Sequence, residues 1–263
     1  MPAVQDLCQF LEAFAPSRLA EDWDNVGLLL GDRHQAVRQA MTCLTVTPES
    51  VHEAIARQVD LIVTHHPLPF RPLKRITSDT IVGKMLLRLI ENHVAVYSPH
   101  TSFDSAQEGI NQRLAEGLGL ADVRPLEPLD GDPDGLGTGR WGSLKDGTTL
   151  AALVDSVKQF LQLRQLQCVG SLPREIGSVA VACGSAGQLL EPVIRAGCDA
   201  LLVGEMSFHT CLDAKANRIA ILLSGHYASE RFAVEVLARV LQSTFAEVEI
   251  WASNEESDPL TWV

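Results

Sequence analysis

The stretch "DLIVTHHPLPF", residues 60–70, runs four apolar or β-branched residues into two adjacent histidines and a proline. An imidazole is a ready metal ligand and acid–base group near neutral pH. Neighbouring residues on a strand point to opposite faces. His65 and His66 can therefore share a site only where the strand has ended, and Pro67 forces such an end because it has no N–H for the ladder. A site broad enough for both rings points to two metal ions, which requires further ligands elsewhere in the chain.

Those ligands lie in an internal repeat. Two strands end in a Ser-x-His-x-x-x-acid pattern, Ser98, His100 and Asp104 in "SPHTSFD" and Ser224, His226 and Glu230 in "SGHYASE". If a helix starts at or just after His226, then His226 and Glu230 stand one turn apart on one face. His65, His66, Asp104, His226 and Glu230 all fall at or just beyond the ends of predicted strands, where ligands gather in open α/β sheets. Three imidazoles and two carboxylates suit two divalent transition-metal ions (Zn, Mn, Fe, Ni or Co) better than Ca. Five ligands shared by two ions leave open positions, the mark of a catalytic site. His100 is either a further ligand or a hydrogen-bond and substrate contact beside the ligands. His209, after "GEMSF", is a second candidate donor or general acid. His34, His52 and His93 occupy polar contexts and read as surface residues.

Strands alternate with helical patterns along the chain, which predicts an α/β fold of two related lobes. The strands of the first are "TCLTVT", "LIVTHHP" and "VAVYSPHTSFD", and of the second "SVAVACGSAG", "ALLVGEMSFH" and "IAILLSGHYASE". Each strand is followed by a helical pattern, except that "SPHTSFD" reads as a loop ahead of the helix "GINQRLAEGLGL". The Gly-, Pro- and Asp-rich stretch 125–149 is either a linker or short strands joined by turns.

The 263 residues, 46% of them apolar, suffice for one large α/β domain or two small ones. With 33 acids against 21 bases and a formal charge of −12, the chain has no evident basic face for long nucleic acids. The N-terminal "MPAVQDLCQFLEAFAP" reads as an amphipathic helix and not a signal peptide. No apolar run approaches the ~18 residues of a membrane span. Six cysteines without a C-x-x-C pair predict a reduced, cytoplasmic protein with free thiols.

Taken together, "WDNVGLLLG" (23–31), "DLIVTHHPLPF" (60–70), "YSPHTSFDSAQEGIN" (97–111), "GEMSFH" (204–209) and "GHYASE" (225–230) resemble the NIF-three-like family, also labelled GTP cyclohydrolase I type 2 homologues. The resemblance implies a dinuclear centre of His65, His66, Asp104, His226 and Glu230 in a cleft between two lobes, and a ring-shaped homohexamer. It implies that the C-terminal helix and "EVEIWAS" (247–253) return to the first lobe, so that 1–124 with 226–263 form one lobe and 125–225 an inserted second. The function it implies is metal-dependent hydrolysis of a nucleotide or a phosphorylated small molecule, with attack of a metal-bound hydroxide on C8 of guanine as the cyclohydrolase form. The alternative is a metal-binding regulator or scaffold without turnover. Thr45 departs from the family, which usually shows Asp there. Trp23 and Leu28–Leu30 are expected to pack in the core, with Asp24 and Asn25 as alternative lining of the cleft.

Overall fold

The computed structural model describes residues 1–145 and 147–261. In chain order the helices are α1 (Val4–Phe14), α2 (Pro48–Ala56), α3 (Ile81–Glu91), α4 (His100–Ser105), α5 (Ile110–Gly117), α6 (Leu150–Phe160), α7 (Leu190–Arg195), α8 (Phe208–Ala216) and α9 (His226–Thr244). The strands are β1 (Gly27–Leu30), β2 (Gln39–Cys43), β3 (Leu61–Thr64), β4 (Ala95–Ser98), β5 (Ala121–Arg124), β6 (Glu127–Pro128) and β7 (Gly137–Thr138). They continue with β8 (Arg140–Ser143), β9 (Gln167–Val169), β10 (Ser178–Ser185), β11 (Ala200–Glu205), β12 (Ala220–Leu223) and β13 (Glu249–Ala252).

The chain divides into two compact units, Met1–Phe103 with Ala233–Val263, and Asp104–Phe232. It leaves the first within α4 and re-enters it within α9.

The first unit is built on a five-stranded sheet in the order β1-β4-β3-β2-β13, parallel except for β1. β3 is central and every residue of "LIVT" is buried, which is why it reads as a continuous apolar run and does not alternate. Thr47 and Thr80 cap the crossover helices α2 and α3 by accepting hydrogen bonds from the backbone of Ser50 and Gly83. Met41, Ile62 and Val96 of the sheet pack with Val51 of α2 and Leu86 and Leu89 of α3 in one cluster. β13 pairs in parallel with β2, Glu249 opposite Gln39, so the C-terminal strand does return to the first sheet.

The second unit has a six-stranded sheet in the order β5-β8-β10-β11-β12-β9. Its centre, β10-β11-β12, is parallel and the outer strands are antiparallel. Ala180, Ala182, Leu201, Val203 and Ile221 pack with Val193 of α7 and Ala214 of α8. The parallel triplet matches β2-β3-β4 in succession and direction, so the repeat read from the sequence is a repeat of structure.

Two expectations change. β5 is the edge strand of the second sheet, paired with β8, and the second unit, Asp104–Phe232, begins before the expected boundary at 124/125 and ends after the expected one at 225/226. A four-residue strand among turns carries little local signal about which sheet it joins. The segment after β4, expected as a loop, is the helix α4. The stretch 125–149 resolves as short strands, β6 pairing with β7 and β8 joining the main sheet.

Candidate metal centre

The pleat of β3 breaks as the chain reaches the histidines. His65 N–H donates to Cys43 O at 3.0 Å and His66 N–H to Leu44 O at 2.8 Å. Successive N–H groups of a regular strand face opposite neighbours; here both face the end of β2. Ser98 Oγ fixes His65 O at 2.6 Å. The two rings lie 5.0 Å apart, and the His100 ring lies 5.2 Å from His65 and 5.6 Å from His66. Each of the three offers a nitrogen within 4.8 Å of the others. The adjacent pair and His100 therefore form one cluster of rings.

His100 is tightly oriented. Its Nδ1 is 2.6 Å from Asp24 Oδ1, and Thr101 N–H donates to Asp24 Oδ2 at 3.1 Å. Burial pushes the Asp24 carboxyl up, but the hydrogen bonds from His100 and Thr101 and the His100 charge outweigh it and hold the pKa at about 2. His100 also has φ +31°, a conformation that non-glycine residues rarely adopt and that clusters at functional sites. With Nδ1 committed to Asp24, Nε2 is the nitrogen left for a ligand or a proton.

In the second unit, Glu230 is only 3% exposed. It stands one turn after His226 on α9, with Oε2 at 3.2 Å from His226 Nε2. His226 Nδ1 is 3.1 Å from Glu205 Oε1. The hydrogen bond to Glu230 raises the His226 pKa to about 9 against the effect of burial, and Glu205 adds to it. Gly184, at the end of β10, has φ +61°. A Cβ there would collide with Glu230 Oε1, so glycine lets the carboxylate come close to the end of β10 without shifting. Gly184 N–H donates to Ser229 Oγ at 2.9 Å, which ties β10 to the first turn of α9.

Asp104 accepts a hydrogen bond from Cys183 Sγ at 3.0 Å. Burial, with the carboxylates of Asp104 and Glu230, pushes the Cys183 thiol far above its usual range. It therefore stays protonated and acts as donor. Arg140 holds the end of α4 in place. Only 1% exposed, it donates to Ser105 O and Ala106 O at 2.7 and 3.0 Å, to Gly137 O and Gly139 O at 2.7 Å each, and to Gln112 Oε1 at 3.0 Å. A cation on these carbonyls satisfies the helix C-terminus.

The donors fit a divalent transition metal. They are imidazole and carboxylate, the Cys183 thiol is kept protonated, and a bare glycine Cα makes room for the Glu230 carboxylate. His65, His66 and His100 can hold an ion from the first unit, and the second unit offers His226 and Glu230 one turn apart on α9, with Asp104 hydrogen-bonded to Cys183 beside Gly184.

A sequence profile of the Duf34/NIF3 (NGG1p interacting factor 3) family matches residues 2–259. The chain belongs to this NIF3 family. The "GTP cyclohydrolase 1 type 2 homolog" of Clostridium acetobutylicum is 36% identical over 94% of this chain and 92% of its own. "NIF3-like protein 1" of Drosophila melanogaster is 34% identical over 96% and 87%. Among solved structures, the Bacillus cereus protein related to NIF3 superposes with a TM-score of 0.92 at 25% identity, over 100% of this chain and 99% of that one. Reduced HcgD from Methanocaldococcus jannaschii superposes with a TM-score of 0.83 at 26% identity, over 96% and 98%.

Within this NIF3 chain, Thr45 stands where the resemblance leads one to expect Asp. Its Oγ1 is 2.7 Å from His66 Nδ1, so the ring keeps an orienting partner without a charge. Glu256 accepts the N–H groups of Leu44 and Thr45 at 2.8 and 2.6 Å and fixes that turn. Trp23 does not pack in the core as its residue type predicts: it is 63% exposed and edge-on to His100. Leu28–Leu30 are only half-buried. Trp23 belongs to the surround of the site because Asp24, next to it, is anchored on His100 and Thr101. His209 is exposed near the start of α8, its ring 5.8 Å from Phe208. His34, His52 and His93 are exposed, as their contexts imply.

Sequence reasoning misses Glu205, Cys183, Gly184 and Arg140. The repeat holds a signal for two of them, since Cys183 and Gly184 end the strand that corresponds to β2. Among the described residues no helix is long and apolar enough to cross a membrane.

Proposed function

We propose that this NIF3-family chain is a dinuclear metal-binding hydrolase acting on a nucleotide or a phosphorylated small molecule. His65, His66, Asp104, His226 and Glu230 hold two divalent transition-metal ions. The observation that carries the reading is the buried Glu230–His226 pair set against the Cβ-less Gly184. The pair presents an imidazole and a carboxylate on one face of α9, a donor set that suits a divalent transition metal. The name of the Clostridium acetobutylicum relative supports a cyclohydrolase-type reaction.

Two bound ions would supply an acidified water and polarisation of a substrate oxygen. His100, oriented through Nδ1 by Asp24, is placed to move a proton at Nε2, as the base of a nucleophile–base–carboxylate array does. His209 is a second candidate acid. Thr45 and Glu205 orient His66 and His226 through Nδ1. The proposal extends to a cytoplasmic homohexamer without long nucleic-acid or membrane partners.

A second reading, a metal-binding regulator or scaffold, draws on the family description "NGG1p interacting factor 3", which names an interaction and no reaction. Elemental analysis of protein purified without chelator, followed by assay on a nucleotide panel, separates them. The hydrolase reading expects metal in the wild type, less in His65→Ala and Glu230→Ala, and turnover lost in both. Full metal with no turnover favours the regulator. No metal bound or taken up removes both.

A further inference from the structure

The exposed side of the His65–His66–His100 cluster carries a feature that metal binding does not use. Trp23 is 63% and Phe70 50% exposed. Their ring centroids are 6.0 Å apart, and each ring meets His100 edge-on, at 5.9 and 5.8 Å. Two large rings left in water beside a candidate reaction centre are kept against the hydrophobic effect. They are also held in place. Asn25 Nδ2 donates to Pro69 O at 2.9 Å, which joins the turn of Trp23 to the segment of Phe70. Asp24 anchors the same turn to His100 and Thr101.

Directly after Phe70 the chain reads "RPLKR". Arg71, Lys74 and Arg75 lie in a run, 70–76, that is exposed throughout. Among the described residues none of the three makes an ion pair. In a chain of net charge −12 such a cluster of cations, beside exposed rings, is complementary to an anion with a planar body.

We infer that Trp23 and Phe70 form a stacking platform for a heteroaromatic ring, and that Arg71, Lys74 and Arg75 take a phosphate attached to it. The inference rests on the proposed function for the position of the reacting atom, and selects aromatic nucleotides over aliphatic sugar phosphates within it. Trp23 and Phe70 already touch, so the ring lies on the outer face of the platform and not between them. Base–aromatic stacking tolerates any base because each has a π-face, and the guanidinium forks of Arg71 and Arg75 match phosphate oxygens while Lys74 adds a point charge.

The test is equilibrium binding of GMP, guanosine and ribose 5-phosphate to the purified protein, with metal content measured on each sample. The variants are Trp23→Leu, Phe70→Leu and the triple Arg71→Gln, Lys74→Gln, Arg75→Gln. Both rings are solvent-exposed, so the leucine variants are expected to fold. The wild type is expected to prefer GMP over either fragment. Trp23→Leu and Phe70→Leu weaken GMP and guanosine by about tenfold and leave ribose 5-phosphate unchanged. The triple variant weakens GMP and ribose 5-phosphate, spares guanosine and flattens the salt dependence. GMP binding no tighter than that of ribose 5-phosphate, or indifferent to both leucine variants, overturns the platform. So does absence of GMP binding with a smaller assembly in Trp23→Leu, which makes the rings a protein contact. A metal-free wild type that still shows the ring-dependent pattern removes the proposed function and leaves the platform standing.

Discussion

At the end of β4, His100 has one ring nitrogen 2.6 Å from a single carboxylate, Asp24, and both side chains are nearly sealed from solvent. At the end of β12, His226 stands between two carboxylates, Glu230 at 3.2 Å and Glu205 at 3.1 Å, with 35% of its side chain exposed. The two histidines occupy equivalent places in the Ser-x-His-x-x-x-acid repeat, and each opens a helix. Their surroundings differ in charge and in exposure. One carboxylate on Nδ1 leaves a fixed ring with Nε2 free to act, the arrangement of an acid–base group. Two carboxylates, one of them one turn along the same helix, make the arrangement of a ligand pair that a cation completes. A repeat therefore supplies position, and the segments that fold against it supply partners and charge.

The largest expected effect separates the two ends directly. Glu230→Ala should lower metal content from about two ions per chain to one or fewer, read by elemental analysis. Asp24→Asn should keep the metal and reduce turnover by about 10²–10⁴, the usual contribution of a positioned acid–base group. Equal loss of metal in the two variants would erase the distinction between the two histidines.

Next in size is Arg140, which stabilises the carbonyl end of the helix bearing Asp104. Arg140→Met strips hydrogen bonds from four buried carbonyls and should cost about 1–3 kcal/mol for each one left without a donor, measured as a shift of the urea midpoint. A loss below ~1 kcal/mol would mean that these carbonyls find other donors.

A smaller effect is expected at the residues that orient ligands. Glu205→Ala should weaken metal affinity about 10–100-fold. Thr45→Asp, which places a carboxylate on His66 Nδ1, should strengthen it by up to about tenfold. Competition against a chelator of known affinity reads both, and a tighter Glu205→Ala would reverse the role given to that residue.

The smallest effect lies in acid. The folded pKa of Asp24, about 2, is below that of an unfolded Asp, about 3.9. The pair with His100 therefore contributes fully above about pH 4, and its contribution is lost as the pH falls to about 2. The stability of Asp24→Asn plotted against pH should have a shallower slope than wild type across that window and run parallel above it. Parallel curves throughout would show that Asp24 gains nothing from His100.

Much of the site is legible in the amino-acid sequence. The alternation of strands and helices, the repeat and the placement of His65, His66, Asp104, His226 and Glu230 at strand ends all follow from short-range pattern. The helix α4 is less legible, because "SPHTSFD" has no apolar period and its end is held by Arg140, 35 residues away. The sheet that β5 joins is hidden for a similar reason, because its partner β8 follows it across a Gly- and Pro-rich stretch. Trp23 is a related case. Its residue type argues for burial, while its position is set by Asp24 bonding to His100, 76 residues further on.

The sequence by itself determined the α/β class, the two-fold repetition and the candidate ligands, since each depends on periodicity or turn chemistry within a few residues. Only the tertiary structure decided which partners each histidine has. The partners that set orientation and charge, Asp24, Thr45 and Glu205, come from segments brought alongside by the order of strands in each sheet. A hydrogen bond depends on ångström distances, which spacing along the chain does not fix.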